Sequence, residues 1–346
     1  MTQGSREARM NHPGPPELDD RGLVPFTAVR QAAAGLYGVS VVTPLLPAVE
    51  LSEASGAEVR LKLESLQRAG SFKFRGAYTF VNGLPEEAAA RGVITYSSGN
   101  HGQAVAMAAG LRGIPCVVVM PTTAPSVKRE GALRLGAEVE MEGTTSLERK
   151  RRAEAIQAER GLCMVPPFDD PIIIAGQGTA ALEAAEAWPE MDTWLVCVGG
   201  GGLASGSGVS LRSLRPGARI IGVEAEGAPA MRRSLDAGVP VTLEGIDTIA
   251  DGLAPVRPGD LTFHHVQSLF DDVVTVSDEA IREAAQFLFH RQKLVVEYSG
   301  AAAVAALRSG AVGVAGRRVG VTISGGNLDP SILREWLDGV PAGIDG

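Results

Sequence analysis

Short apolar runs alternate with longer amphipathic stretches along almost the whole chain. The short runs, rich in Val, Ile and Leu, predict strands at Val59–Leu63, Gly92–Tyr96, Cys116–Met120, Glu138–Met141, Trp194–Val198, Ile220–Glu224, Asp272–Thr275 and Val319–Ile323. Between them, amphipathic patterns predict helices over His101–Arg112, Ser126–Leu135, Ser146–Glu159, Gly178–Trp188, Ala228–Ala237, Asp278–Gln292 and Gly300–Ser309. Repeated strand–helix alternation implies an α/β fold with mainly parallel sheets flanked by helices. Gly or Pro closes several strands on the helix side, as such connections require.

Two segments, Leu84-Pro85-Glu86-Glu87 and Pro166-Pro167-Phe168-Asp169-Asp170-Pro171, have the composition of crossings between units. Two crossings describe one domain inserted in another: a small domain over 86–168, and a large one from 23–85 and 169–346. Residues 1–22 are polar and read as a disordered tail, without the apolar core of a signal peptide. No apolar run reaches the roughly 18 residues of a membrane span, because Arg308 and Arg317-Arg318 interrupt the Ala- and Val-rich C-terminal stretch. A soluble, cytoplasmic protein is expected.

Charge and composition narrow the partners. The net charge of −8 argues against nucleic acid and anionic membranes, so an anionic ligand would be held by local donors. Cys116 and Cys197 lie inside strand-like runs, and Cys163 is read the same way: buried free thiols of a reducing compartment. No Cys or His pair has zinc-ligand spacing, and the adjacent His264-His265 read as structural or surface residues. Glycine, at 43 of 346 residues, is well above its average of about 7%. The excess gathers in loops that end apolar runs.

Four of these loops carry chemistry. In Ser71-Phe72-Lys73-Phe74-Arg75-Gly76-Ala77, a lysine sits in a half-apolar setting. Desolvation disfavours an ammonium, so such a lysine can become the neutral amine that a Schiff base with an aldehyde requires. Aromatic-flanked lysines also occur as side chains that bury the stem and keep the charge in water. In Val198-Gly199-Gly200-Gly201-Gly202-Leu203, a strand runs through four glycines into a helix start, exposing backbone N–H groups as a phosphate cradle. Gly199, Gly201 and Ala204 also satisfy a G-x-G-x-x-A dinucleotide spacing. Glu224 falls where a ribose-binding acid belongs, which keeps a nucleotide-binding oxidoreductase open as a reading. In Tyr96-Ser97-Ser98-Gly99-Asn100-His101, hydroxyls, an amide and helix-start N–H groups suit a carboxylate, although a single serine there could be an N-cap. Finally, Ile323-Ser324-Gly325-Gly326-Asn327 delivers a hydroxyl to a turn at the carboxyl end of a strand, where open α/β folds bind ligands.

Together these segments resemble the serine/threonine dehydratase family of fold-type II pyridoxal-phosphate enzymes, to which serine racemase also belongs. SFKFRGA, SSGNHGQA, IAGQGT (174–179), VGGGGL, TIADGL (248–253) and ISGGN occur in the family's order over residues 40–330. The resemblance implies a tryptophan synthase β-like fold: two open, twisted, mainly parallel sheets flanked by helices, with the smaller domain inserted in the larger. It implies pyridoxal 5′-phosphate as cofactor, bound to Lys73, which would also take the Cα proton. Gly199, Gly200, Gly201, Gly202 and Leu203 would hold the phosphate, Asn100 the ring oxygen and Ser324 the ring nitrogen. Ser97, Ser98, Asn100 and His101 would bind the substrate carboxylate, and Ser98 matches the position that exchanges a proton on the opposite face in racemising relatives. The implied activity is dehydration and deamination of L-threonine, L-serine or a related β-hydroxy amino acid, with serine racemase or 3-hydroxyaspartate dehydratase as alternatives, in a homodimer. Some relatives bind a divalent cation through positions matching Glu224 and the carbonyl of Ala228, but the third ligand is replaced by Ala230. A complete cation site is therefore in doubt.

Overall fold

The computed structural model describes residues 14–338 except 98 and 125. Its strands are β1 (Leu45–Pro47), β2 (Glu58–Leu63), β3 (Val93–Tyr96), β4 (Cys116–Met120), β5 (Glu138–Met141), β6 (Cys163–Met164), β7 (Thr193–Cys197), β8 (Arg219–Ala225), β9 (Asp272–Val276) and β10 (Arg318–Ile323). They form two sheets, ordered β1-β2-β10-β7-β8-β9 and β5-β4-β3-β6. Only β1 runs antiparallel to its neighbour. Each expected strand is present. The sequence pattern did not reveal β1 and β6, which are too short to show a period of two.

Parallel strands buried on both faces read as continuous apolar runs. β4 (CVVVM) and β7 (TWLVC) are buried at every position. Against the larger sheet packs the helix Tyr298–Arg308, whose run of alanines and Val304 is fully enclosed. Lys73 opens an unexpected helix, Lys73–Asn82. The helix expected from Gly178 begins seven residues earlier, as Pro171–Ala187. Asp170 and Pro171, read from sequence as part of a crossing, are its N-cap and first-turn proline: the Asp170 carboxylate accepts from Ile172 and Ile173 N–H.

This long helix lies between two others with almost no side chain intervening. A Cβ on Gly176 would come within 2.6 Å of Gly76 Cα, in the Lys73 helix. A Cβ on Gly206, in the helix Gly202–Leu214, would lie 2.4 Å from Gly178 N. The IAGQGT segment is thus where backbone meets backbone on both sides.

Among the described residues no helix is long and apolar enough to cross a membrane. The paired histidines divide their roles. His265 is buried, accepts from Val24 N–H at Nε2 and donates from Nδ1 to Leu261 O; His264 Nε2 bonds Arg21 O. Both tie residues 21–24 to the helix Asp260–Leu269. Cys116 and Cys197 are buried as expected, whereas Cys163 is half-exposed.

A buried ionic cluster anchors the Lys73 helix from behind. The Arg75 guanidinium donates to both oxygens of Glu64 (2.7 and 2.8 Å) and both of Glu183 (2.7 and 2.8 Å). Lys62 also donates to Glu183 and to Thr43 O, and Thr43 Oγ1 donates to Glu64. Burial alone would raise the Glu64 carboxyl, but Arg75 outweighs it and holds that group below its ordinary range. Two cations and two carboxylates balance, so removing one member leaves a buried charge without a partner. Arg75→Met is expected to cost about 3–5 kcal/mol, read as a lower urea midpoint of unfolding with an unchanged slope.

Candidate functional site

The end of β10 and the start of the Lys73 helix are joined by backbone. Phe72 N–H donates to Ser324 O (3.0 Å), and Ser71 forms an isolated bridge with Gly325. Lys73 is therefore placed beside Ser324 by main-chain geometry rather than by its own side-chain contacts. Its Nζ donates to Pro167 O at 2.7 Å and pairs with no carboxylate among the described residues. Burial pushes the amine down to about 8, opposed by the nearby Cys197 and Glu297. This is the desolvated lysine the sequence suggested. The side chain as a whole is half-buried, with its Nζ bonded to Pro167 O.

The tetraglycine turn follows β7 and leads into the helix Gly202–Leu214. The N–H groups from Gly199 to Leu203 find no acceptor among the described residues. These unsatisfied donors, at the positive end of a 13-residue helix, suit a phosphate. The glycines also answer to crowding. A Cβ at Gly200 would sit 2.1 Å from the Phe168 ring, and Gly201 has φ of +96° with Thr262 behind it. Phe168 and Thr262 were not legible as site residues, since nothing local to them signals a ligand. Thr262 Oγ1 fastens the turn by donating to Gly200 O (2.6 Å).

The third loop follows β3. Gly99 is the N-cap of the helix Asn100–Arg112 and offers no side-chain cap, so the first-turn N–H groups are open to an anion. Ser97 Oγ accepts from Gly99 N–H (3.3 Å), and Ser98 lies outside the described residues. His101 is buried, and desolvation together with the Lys73 charge drives its imidazole down to about 3, so it is neutral. With Nε2 donating to Val165 O (3.1 Å), Nδ1 is a buried acceptor without a partner among the described residues.

Asn100 is held from two sides. Its Oδ1 accepts from Asn327 Nδ2 (2.7 Å) and its Nδ2 donates to Glu297 Oε1 (2.6 Å). Glu297 is a site residue that the sequence reading missed. Its only sequence signal was a lone acid before a small-residue helix, which resembles a simple N-cap. Ser324 is buried at the end of β10. Lys73, Asn100, His101 and Ser324 are thus drawn into one region, with Cys197, two residues before the glycine turn, close to Lys73 and Ser324. Its donors fit a phosphorylated aldehyde: free N–H groups for the phosphate, an amine for the carbonyl, and neutral polar groups for a ring.

Glu224 and Ala228 lie apart from this space. Glu224 is 1% exposed, and its two oxygens accept from Met231 and Arg232 N–H, capping the helix Ala230–Ala237. Burial raises it to about 7. The carbonyl of Ala228 accepts from Ala230 N–H (3.0 Å). No group of three or more possible metal-ligating side chains occurs among the described residues. The dinucleotide reading loses its support here, because this carboxylate is buried and turned to the start of a helix, where it presents no open oxygen to a ribose.

The model of the family described as "Pyridoxal-phosphate dependent enzyme" matches residues 39–325. The L-threonine ammonia-lyase of Thermotoga maritima is 43% identical over 311 residues, which is 90% of this chain and 77% of that protein. The L-threo-3-hydroxyaspartate ammonia-lyase of Saccharomyces cerevisiae is 39% identical over 287 residues, 83% of this chain and 88% of that protein. Among solved structures, maize serine racemase superposes with a TM-score of 0.88 at 36% identity, covering 91% of this chain and 97% of the other. The fold expected from the resemblance is thereby borne out.

If the cradle needs both bare backbone and the space Phe168 fills, Gly200→Ala displaces one or the other. Overpacking of this size costs about 1–3 kcal/mol, so affinity for pyridoxal phosphate is expected to fall roughly tenfold or more. Titration of the cofactor-free protein with pyridoxal phosphate measures it.

Proposed function

This chain belongs to the pyridoxal-phosphate dependent enzymes, and on that premise we propose that it is an ammonia-lyase for L-threonine, L-serine or a related β-hydroxy amino acid. It removes the β-hydroxyl as water and releases a 2-oxo acid and ammonia. The observation that carries this reading is Lys73 set half-buried beside Ser324 at the strand end, its amine lowered to about 8 by desolvation.

Bound in this space, pyridoxal phosphate supplies an electron sink for the pair left at the substrate Cα. The rest is the work of the chain's own groups. The N–H groups of Gly199, Gly200, Gly201, Gly202 and Leu203 hold the phosphate dianion without any lysine or arginine. Lys73 Nζ, which donates to Pro167 O, would be the amine that holds the cofactor's aldehyde carbon and the base for the Cα proton. Ser324 offers the ring nitrogen a neutral hydroxyl, which does not keep that nitrogen protonated as a carboxylate would. A weaker sink favours prompt loss of the β-substituent. Asn100 would donate to the ring oxygen, and the helix start with Ser97, Ser98 and the backbone N–H of His101 would receive the substrate carboxylate.

A second reading shares the cofactor. The likeness to maize serine racemase supports racemisation alongside elimination, with Ser98 as the residue proposed to exchange the second proton. The likeness to a 3-hydroxyaspartate ammonia-lyase widens the substrate panel.

We also infer a cytoplasmic homodimer. Three cysteines without disulfides support a reducing compartment. An exposed apolar group around edge strand β1, namely Tyr37, Val42, Leu46, Val49 and Leu66, supports self-association. Paired Val42→Asp and Leu46→Asp changes are expected to shift sedimentation from dimer to monomer; an unchanged sedimentation coefficient removes this surface from the interface.

The purified protein should be yellow, and borohydride should fix the cofactor to a peptide containing Lys73. A colourless protein, or a label elsewhere, sinks the assignment. Assays on threonine, serine and 3-hydroxyaspartate for 2-oxo acid and ammonia, with chiral analysis of unreacted substrate, sort the activities. Ser98→Ala should reduce any racemisation far more than elimination. Equal losses would mean that Ser98 serves binding or the loop.

A further inference from the structure

Glu297 lies at the centre of the site, and nothing above gives it a chemical task. Its backbone N–H donates to Gly325 O, and its carbonyl accepts from Gly300 and Ala301 N–H, starting the helix Tyr298–Arg308. Its carboxylate, however, caps no helix N–H and turns instead to Asn100. The space that receives it is built. A Cβ on Gly325 would stand 2.0 Å from Glu297 Oε1 and 3.2 Å from Asn100 Nδ2, so a side chain at 325 would exclude the pair.

Asn100 has one amide oxygen and two amide hydrogens to dispose of. Asn327 Nδ2 is itself fixed by donation to Ala69 O (2.8 Å), and it also donates to Asn100 Oδ1. An amide hydrogen cannot donate to another amide hydrogen, so this contact decides which end of Asn100 is oxygen. Glu297 then takes one hydrogen of Nδ2 by a charge-assisted bond. One N–H remains, with no acceptor among the described residues.

We propose that Glu297 is a positioning residue: through Asn100 it holds the one free amide N–H toward the cofactor's ring oxygen and strengthens that donation. The inference rests on the reading that Asn100 contacts the cofactor. The polarity is favourable, because a carboxylate accepting from one N–H of an amide orients the group and competes with rotation.

The link is sensitive to pH. Burial raises the Glu297 carboxyl to about 7, as does the field of Asp251, while Asn100, Lys128 and Lys73 act to lower it. The facing groups are Lys73 from the Lys73–Asn82 helix, Cys197 from β7, Lys128 from the Ser126–Arg134 helix and Asp251 from the turn before Leu253. Lys128 and Asp251 are themselves paired at 2.9 Å. As pH rises through about 7 the carboxylate form takes over and the hold on Asn100 strengthens; as pH falls through that value it weakens.

The test compares pyridoxal phosphate affinity of wild type, Glu297→Gln, Asn100→Ala and the double variant at pH 6 and pH 8. The phosphate titrates alike in all four, and because Glu297 also acts on Lys73, the Asn100→Ala background, which keeps that effect, separates the link through Asn100 from it. Glu297→Gln should weaken binding about tenfold at pH 8, the size of one lost charge-assisted hydrogen bond, and clearly less at pH 6. In the Asn100→Ala background the same change should have little further effect. Gly325→Ala, which fills the carboxylate's space, should reproduce the pH-dependent loss, and thermal melting verifies that each variant is folded.

A ratio that is the same at both pH values, or additive losses in the double variant, would overturn the inference and leave Glu297 a structural residue. If Asn100→Ala binds the cofactor as wild type does, the underlying reading of Asn100 fails instead.

Discussion

Two helices can touch backbone to backbone only where neither carries a side chain, and the site depends on that condition being met twice on one helix. Gly176 in Pro171–Ala187 meets Gly76 of the Lys73 helix, and two residues later Gly178 meets Gly206 of the helix that starts at the phosphate cradle. The spacing of two glycines along a single rigid rod thereby sets the separation between an amine and an anion site. Any side chain at these crossings would push the two chemical groups apart. The cradle is closed by the same rule, since Phe168 occupies the room that a side chain on Gly200 would need.

Lys73 and Arg75 stand two positions apart on one helix and meet opposite electrostatic fates. Arg75 faces four carboxylate oxygens and stays charged in the interior, where it anchors the helix to the turn that follows β2 and to Pro171–Ala187. Lys73 is half-buried, and among the described residues its Nζ has only a carbonyl as hydrogen-bond partner, so desolvation lowers its proton affinity. Residues at i and i+2 point to different sides of a helix. The fold uses that to place a structural cation and a reactive amine in one turn.

The site also avoids charge where a ring would lie. Ser324 and Asn100 are neutral, His101 is neutral through burial, and the groups proposed for the phosphate are backbone N–H groups. The one carboxylate present, Glu297, reaches the space only through an amide. Such an environment stabilises bound charge by fixed dipoles, which do not need to reorganise during reaction.

The alternation of apolar and amphipathic runs determined the eight longer strands and the α/β class, because parallel strands buried on both faces leave continuous apolar runs. The glycine turn, the lysine in its apolar setting and the strand-end serine were visible for a related reason: each places an unusual residue type at a chain position where backbone must turn or approach a ligand. Other features depended on contacts between residues far apart in sequence. The helix begun by Lys73 carries Phe74, Ala77, Tyr78 and Val81 at helical spacing, a signal that the chemistry of the segment overshadowed, whereas the two-residue β6 has no periodic signature. The identity of Phe168 as the wall of the cradle, of Pro167 O as the lysine's resting partner and of Glu297 as the support of Asn100 comes from segments about 30 to 200 positions away from the groups they serve. Glu224 shows the converse, since sequence placed it where a ligand might be and burial against Met231 and Arg232 made it a helix cap. Local pattern records what a residue must do with its neighbours along the chain; desolvation and partner geometry belong to neighbours across space, and only the tertiary structure supplies those.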